Sequence, residues 1–294
     1  MWVMSRGKEG DQPLRTNPTG RQLRLGTELR KLRERAGLTA TEAGQLLGSK
    51  QALISNIEAG RAGVSPERVR TLACHYDCQD QALVEAITGM IGDRKRGWWE
   101  EYREILPGPL LDLAELEHHA KSLRTTITAR VPGLLQTVDY AREIFRQGVT
   151  ELSPPDIEHR LSFRIKRQTV LYREDPTPYE AIIHEAALRM KVGGSAVARQ
   201  QLKHLLDMSE RDHITLRALT FDVGAYPGSG QSIYYARGPV PELDTVHLDQ
   251  SHGLTFLDAE AQLRKYRTLF DRLDAVALDS EKTRDLINSV INDL

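Results

Sequence analysis

The sequence predicts a mainly α protein in two parts: a small all-helical N-terminal bundle, then a larger α+β domain built from helices and a mostly antiparallel sheet. Three observations carry this. Apolar residues recur at helical spacing through residues 25–76. Beyond residue 98 helical patterns come first and a run of short alternating stretches later, the order of an α+β domain. Charge divides the same way: residues 1–70 hold 13 Lys+Arg against 7 Asp+Glu, while the rest holds 27 against 34. A basic head on an acidic body points to phosphate as the head's partner.

The bulk composition agrees with a chain of two domains. Its 294 residues are 40% hydrophobic and 28% charged, and no apolar run approaches a membrane span. The opening MWVMSRGKEGDQPLRTNPTG has neither a sustained apolar region nor a small-residue cleavage site, so a signal peptide is not expected and residues 1–19 read as a disordered arm. The expected location is cytoplasmic. The two cysteines, Cys74 and Cys78, lie one helical turn apart and lack companions for a zinc site; buried reduced thiols are the expectation.

The head spans residues 20–88. Leu25, Leu29, Leu32 and Ala36 define a first helix that Gly37 stops. In TATE, Thr39 and Glu42 have the spacing of a capping box, which starts a second helix running to about Leu47, with Gly48 as its end. Ser49 is expected to cap a third helix that Gly60 closes. A fourth runs from about Pro66 to Tyr76 with Val69, Leu72 and Ala73 inward. Two short helices joined by a tight glycine turn form the helix-turn-helix pattern. Gly44 falls where the second helix must approach the third, and Ala43, Leu47, Ile54 and Ile57 supply the core between them. That leaves Gln51, Ala52, Ser55 and Asn56 on the free face of the third helix. Their chemistry suits base edges in a major groove: Gln and Asn can bond adenine bidentately, Ser several edges, and Ala a thymine methyl.

The segment LRKLRERAGLTATEAGQLLGSKQALISNIEAGR resembles the DNA-binding domain of the phage-repressor-like (XRE/Cro) family, through its RExxGLT opening and the ISxIExG of the third helix. The resemblance implies a lambda-repressor-like bundle, a double-stranded DNA operator as partner, and a structural ion pair between Arg33 and Glu58. Where the family often carries Gln to grip phosphate this chain has Ala40, so Thr39, Thr41, Lys50 and Arg61 become the expected phosphate contacts.

GMIGDRKRG, residues 89–97, reads as a linker, and residues 98–294 as the second domain. Trp98 and Trp99 are expected to anchor packing. Helices are expected at about 110–124, 137–147, 154–172, 194–209, 258–275 and 280–292, and strands at YEAIIH, ITLRALTF, SIYYAR, DTVHLD and LTFLD. No enzyme, metal or cofactor constellation is found. HEAAL lacks the second histidine of a zinc helix, GAYPGSG is neither a P-loop nor a dinucleotide loop, and the histidines are scattered.

The blocks VPGLLQTVDYAR, RIKRQTVL and IIHEAALR resemble the C-terminal domain of unassigned role in actinobacterial regulators of the WhiJ-like group. That resemblance implies a transcription regulator, often paired with a small acidic co-encoded protein. His184 stands where that group more often has an acidic residue. VPGLLQT reads either as a plain turn and helix start or as one wall of an effector or partner site completed by Arg164, Arg167, Gln168 and Glu185. The first three share one helix face and could clamp a carboxylate or an acidic partner. A homodimer is expected, because one helix-turn-helix makes too few base contacts alone. The alternative is an antitoxin-like protein that neutralises a co-encoded partner and represses its own operon.

Overall fold

The computed structural model describes residues 18–91, 97–148, 151–250 and 253–294. The arm expected over residues 1–19 lies outside them except for 18 and 19, and the linker expected over 89–97 except for 89–91 and 97. The chain divides into two compact units, up to residue 79 and from residue 80.

The first unit has four helices: α1 (Gly20–Arg35), α2 (Ala40–Leu46), α3 (Gln51–Glu58) and α4 (Pro66–His75). Capping boxes start α1 at Thr19 with Gln22 and α2 at Thr39 with Glu42, each satisfying two backbone donors that the first turn would otherwise leave open. The helix ends repeat one device. After α3, the Gly60 amide donates to the Ile57 carbonyl and the Arg61 amide to the Asn56 carbonyl, with Gly60 at φ +68°. The same paired bonds follow α1 at Gly37, α2 at Gly48 and α4 at Asp77, whose φ of +51° is the one left-handed non-glycine among the described residues.

This geometry corrects one expectation. Ser49 does not cap α3, because its amide donates to the Gly44 carbonyl at 2.8 Å and closes α2. Lys50 takes the cap position with no side-chain bond. Leu29, Leu32, Ala43, Ile54, Ile57, Val69, Leu72, Ala73 and Tyr76 are buried, while Leu25 and Leu47 are half-buried and Ala36, beyond the last turn of α1, is exposed. The thiols are free but not buried as expected: Cys74 is exposed and Cys78 half-buried.

The second unit begins with α5 (Gln81–Thr88), which has no counterpart in the sequence reading. After a 3-10 turn at Trp98–Tyr102 come α6 (Gly108–His119), β1 (Ser122–Ile127), α7 (Val138–Arg146), α8 (Pro154–Gln168), β2 (Tyr179–His184), α9 (Glu185–Arg189), α10 (Ser195–Ser209) and β3 (Ile214–Leu219). Then follow β4 (Ser232–Arg237), β5 (Thr245–Gln250), β6 (Gly253–Leu257), α11 (Glu260–Val276) and α12 (Ser280–Asn292). The six strands form one sheet in the order β3-β2-β1-β4-β5-β6.

The sheet is mixed. β1–β2 and β2–β3 run parallel, while β1–β4, β4–β5 and β5–β6 run antiparallel. The first two connections carry helix pairs long enough to return the chain to the same end, and the last two are too short for that. One face packs against α7, α10 and α12 through residues such as Ile183, Leu216, Tyr140, Leu205 and Ile287. On the other face Ile233, Tyr235 and Val246 meet Leu263, Phe270 and Leu273 of α11. Asp274 of α11 accepts from Arg124 of β1 at 2.7 Å and Arg217 of β3 at 3.1 Å, which ties that helix to the sheet. Trp98 and Trp99 do anchor packing: Trp99 is buried with Tyr102, Leu106, Leu111 and Phe163, and Trp98 packs against the cluster.

Candidate nucleic-acid interface and body cavity

In the first unit α3 is held by its apolar stripe and by one ion pair. Ile54 and Ile57 are 1% and 3% exposed, so the helix can present only its opposite side. Arg33 of α1 makes two parallel bonds to Glu58, Nε to Oε1 at 2.6 Å and Nη2 to Oε2 at 2.9 Å. Its remaining Nη1 donates to the Leu38 carbonyl at 2.7 Å, so one guanidinium fixes α1, the following turn and the end of α3 together. Bonding to Glu58 raises the Arg33 pKa, and burial followed by the Glu58 charge pushes Tyr76 up to about 12. Two glycines permit the close approach. A Cβ on Gly26 would lie 2.3 Å from the Glu58 carbonyl oxygen, and one on Gly44 would lie 3.0 Å from the Gln51 amide nitrogen. The Gly26 contact was missed from sequence, since a glycine inside a helical run gives no sign of which neighbour it admits.

Gln51, Ala52, Ser55 and Asn56 are all exposed on the free side of α3, three of them in its first five residues. Thr39, Thr41, Lys50 and Arg61 are exposed as well. Their hydroxyls and charges differ in availability. The Thr39 hydroxyl accepts from the Glu42 amide at 3.2 Å and donates to the Glu42 carboxylate at 2.7 Å, so the capping box occupies it. Those bonds from Thr39 hold the Glu42 carboxyl below its ordinary pKa. The carboxylate therefore stays charged beside Thr39, which leaves Thr41, Lys50 and Arg61 better placed to meet phosphate.

In the second unit, the VPGLLQT block is a buried 3-10 turn. Leu134 and Leu135 are inside and Thr137 caps α7. Gln168 of α8 locks this turn by donating to the Gln136 carbonyl at 2.7 Å. Arg167, also buried, makes two bonds to buried Glu117 of α6 at 2.6 and 2.8 Å. Arg164, one turn earlier on α8, donates through Nη1 to the Gln136 side-chain oxygen and lies over the Phe145 ring, 4.9 Å from its centroid. A Cβ on Gly133 would come within 3.2 Å of that Nη1, so the guanidinium rests on bare backbone.

Arg164 and Arg167 line a cavity of about 450 Å³ between α6, α7, α8 and the face of β1, β4, β5 and β6. Gln168 stands behind its wall. Glu185 does not join them: at the start of α9 it accepts from Arg189 at 2.7 Å and from the Phe221 amide at 3.1 Å. His184, ending β2, caps the same short helix by accepting from the Ala186 amide at 3.0 Å. The structure thus brings Arg164 and Arg167 to the cavity, sets Gln168 against the VPGLLQT turn behind it, and uses Glu185 elsewhere.

Sequence reasoning missed the opposite wall. Tyr234 and His247 are paired across β4 and β5, and Asp249 follows on the same face of β5. The alternation in DTVHLD carried this signal, but the partner strand needed to read it was out of reach. His247 is 2% exposed, with its ring between Tyr234 and Phe256 at centroid distances of 5.3 and 5.2 Å. Burial, then the Arg167 charge, lowers its pKa to about 3, so the ring is neutral. Burial, then Arg167, lowers the Arg164 pKa to about 10, which leaves that guanidinium charged at neutral pH.

Residues 24–87 match the family described as a helix-turn-helix domain, the class of DNA-binding module that the first unit's geometry defines. Residues 110–289 match the Domain of unknown function (DUF5753), and with more than half of its length in that match the chain belongs to this family. Neither a curated protein nor a solved structure matches the chain. Among the described residues no helix is long and apolar enough to cross a membrane.

Proposed function

We propose that the chain is a sequence-specific transcriptional regulator of the phage-repressor-like (XRE/Cro) type, within the WhiJ-like actinobacterial group. It works in the cytoplasm as a homodimer and acts by binding, not by catalysis. α3 reads the operator, and the second unit senses a small ligand or partner protein. One observation carries the reading. α3 buries its isoleucines and leaves Gln51, Ala52, Ser55 and Asn56 exposed together along its free side, starting from its N-terminal residue, the end that enters a major groove in helix-turn-helix proteins.

The test compares base reading with phosphate contact. Lys50→Ala and Arg61→Ala should weaken binding to operator and random DNA alike, each lowering the salt slope by about one. Gln51→Ala should cost about 1–3 kcal/mol on the operator and little on random DNA. Equal losses on both DNAs for Gln51→Ala would defeat the assignment.

A further inference from the structure

The cavity in the second unit has the makeup of a binding site beyond its residues' structural duties. Its volume, about 450 Å³, falls within the range of small-molecule pockets. Four arginines face it against one aspartate. Arg167 is satisfied by Glu117, and Arg130 pairs with Asp249 at 3.1 Å where both are partly exposed. Arg160 and Arg164 have no carboxylate partner among the described residues.

Arg164 is the informative one. Its Nη1 is taken by Gln136, while the Nε and Nη2 edge has no hydrogen-bond acceptor among the described residues, and that edge is the fork that binds a carboxylate bidentately. A half-buried guanidinium whose one hydrogen bond among the described residues is to a neutral amide gains from a bound anion. Two further features describe the rest of the ligand. Leu110, Leu113, Phe163 and Leu254 give the cavity an apolar wall. Both ring nitrogens of buried His247 lack hydrogen-bond partners among the described residues, and a neutral imidazole offers one donor and one acceptor.

The geometry points to this cavity as the site of a small amphipathic monoanion: a carboxylate clamped by Arg164, an apolar body along α6 and β6, and a polar group within reach of His247. This deepens the reading of the second unit as the sensing part and rests on it only for the regulatory consequence. An acidic protein side chain is the less suitable occupant, because the apolar wall would be left without contact.

The test is calorimetric titration of the full-length protein, without DNA, using sodium octanoate. Octylamine, acetate and a glutamate-rich peptide serve as comparators. Octanoate should bind saturably at one site per chain, with the comparators at least about tenfold weaker. Arg164→Gln should lower octanoate affinity by about tenfold or more. Leu254→Trp, which keeps every charge and fills the apolar end, should weaken it too, and decides the matter if Arg164→Gln does not fold. Absence of saturable octanoate binding at millimolar concentration would overturn the proposal, as would equal affinity for octylamine or the peptide, or unchanged affinity in the folded variants. Since DNA is absent, these outcomes are separate from failure of the operator-reading assignment.

Discussion

Glu58→Ala should be among the most damaging single changes in the N-terminal unit. It removes both carboxylate acceptors that Arg33 bonds and leaves a guanidinium of low exposure with the Leu38 carbonyl and a long ion pair to Glu34 at 3.8 Å. The expected loss is about 2–3 kcal/mol, read from urea unfolding, with Glu58→Gln recovering part of it. Because the pair joins α1 to α3, the same variant should lose operator affinity even though the Glu58 carboxylate is taken up by Arg33. The pair itself was visible only through family resemblance. Its physical justification came with the structure, which shows the third bond of Arg33 and the bare Gly26 backbone under the Glu58 carbonyl.

At the scale of elements, β5 carries the clearest pH dependence. His247 is buried and neutral, with its pKa lowered to about 3 from an ordinary 6.5. The unfolded chain takes up this proton below 6.5 and the folded chain does not. The histidine's contribution to stability is therefore fully present above 6.5 and is lost progressively as pH falls toward 3. Burial lowers His204 as well, which adds in the same direction. Urea midpoints should fall between neutral pH and about pH 5, and His247→Phe should flatten that fall. A slope unchanged by the substitution would assign it to other groups.

The elements themselves were largely legible, and the failures have physical reasons. Capping residues and glycine stops placed α1 to α4, and the alternation in YEAIIH and SIYYAR placed β2 and β4, because these signals are local. β1 was read as the tail of α6. Its SLRTTI stretch follows the helix after only two residues, Ala120 and Lys121, with no glycine, proline or asparagine between to mark the break. The two parallel pairings were also missed, since direction depends on the path of α7 to α10 and not on the strands' own pattern. The cavity was half legible. Arg164 and Arg167 share a helix face that can be counted from the sequence, whereas Tyr234 and His247 become neighbours only through strand register. Glu185 was expected to complete the same site and lies with α9 instead.

At the scale of the whole molecule, charge and architecture divide at nearly the same place. The basic N-terminal stretch holds the helix-turn-helix domain, and the acidic remainder holds the mixed sheet with its cationic cavity. A cavity lined by four arginines inside an otherwise acidic part of the chain is a local concentration of positive charge that composition alone conceals. α3 is the element that would read base sequence. The measurement that tests it most directly is selection of bound sites from a random-sequence DNA pool by the purified full-length protein. A single inverted repeat with half-site centres about 34 Å apart should be enriched, and the enrichment should be lost when Gln51, Ser55 and Asn56 are replaced together by alanine. Recovery of unenriched DNA, or of the same sequence by the triple variant, would contradict it.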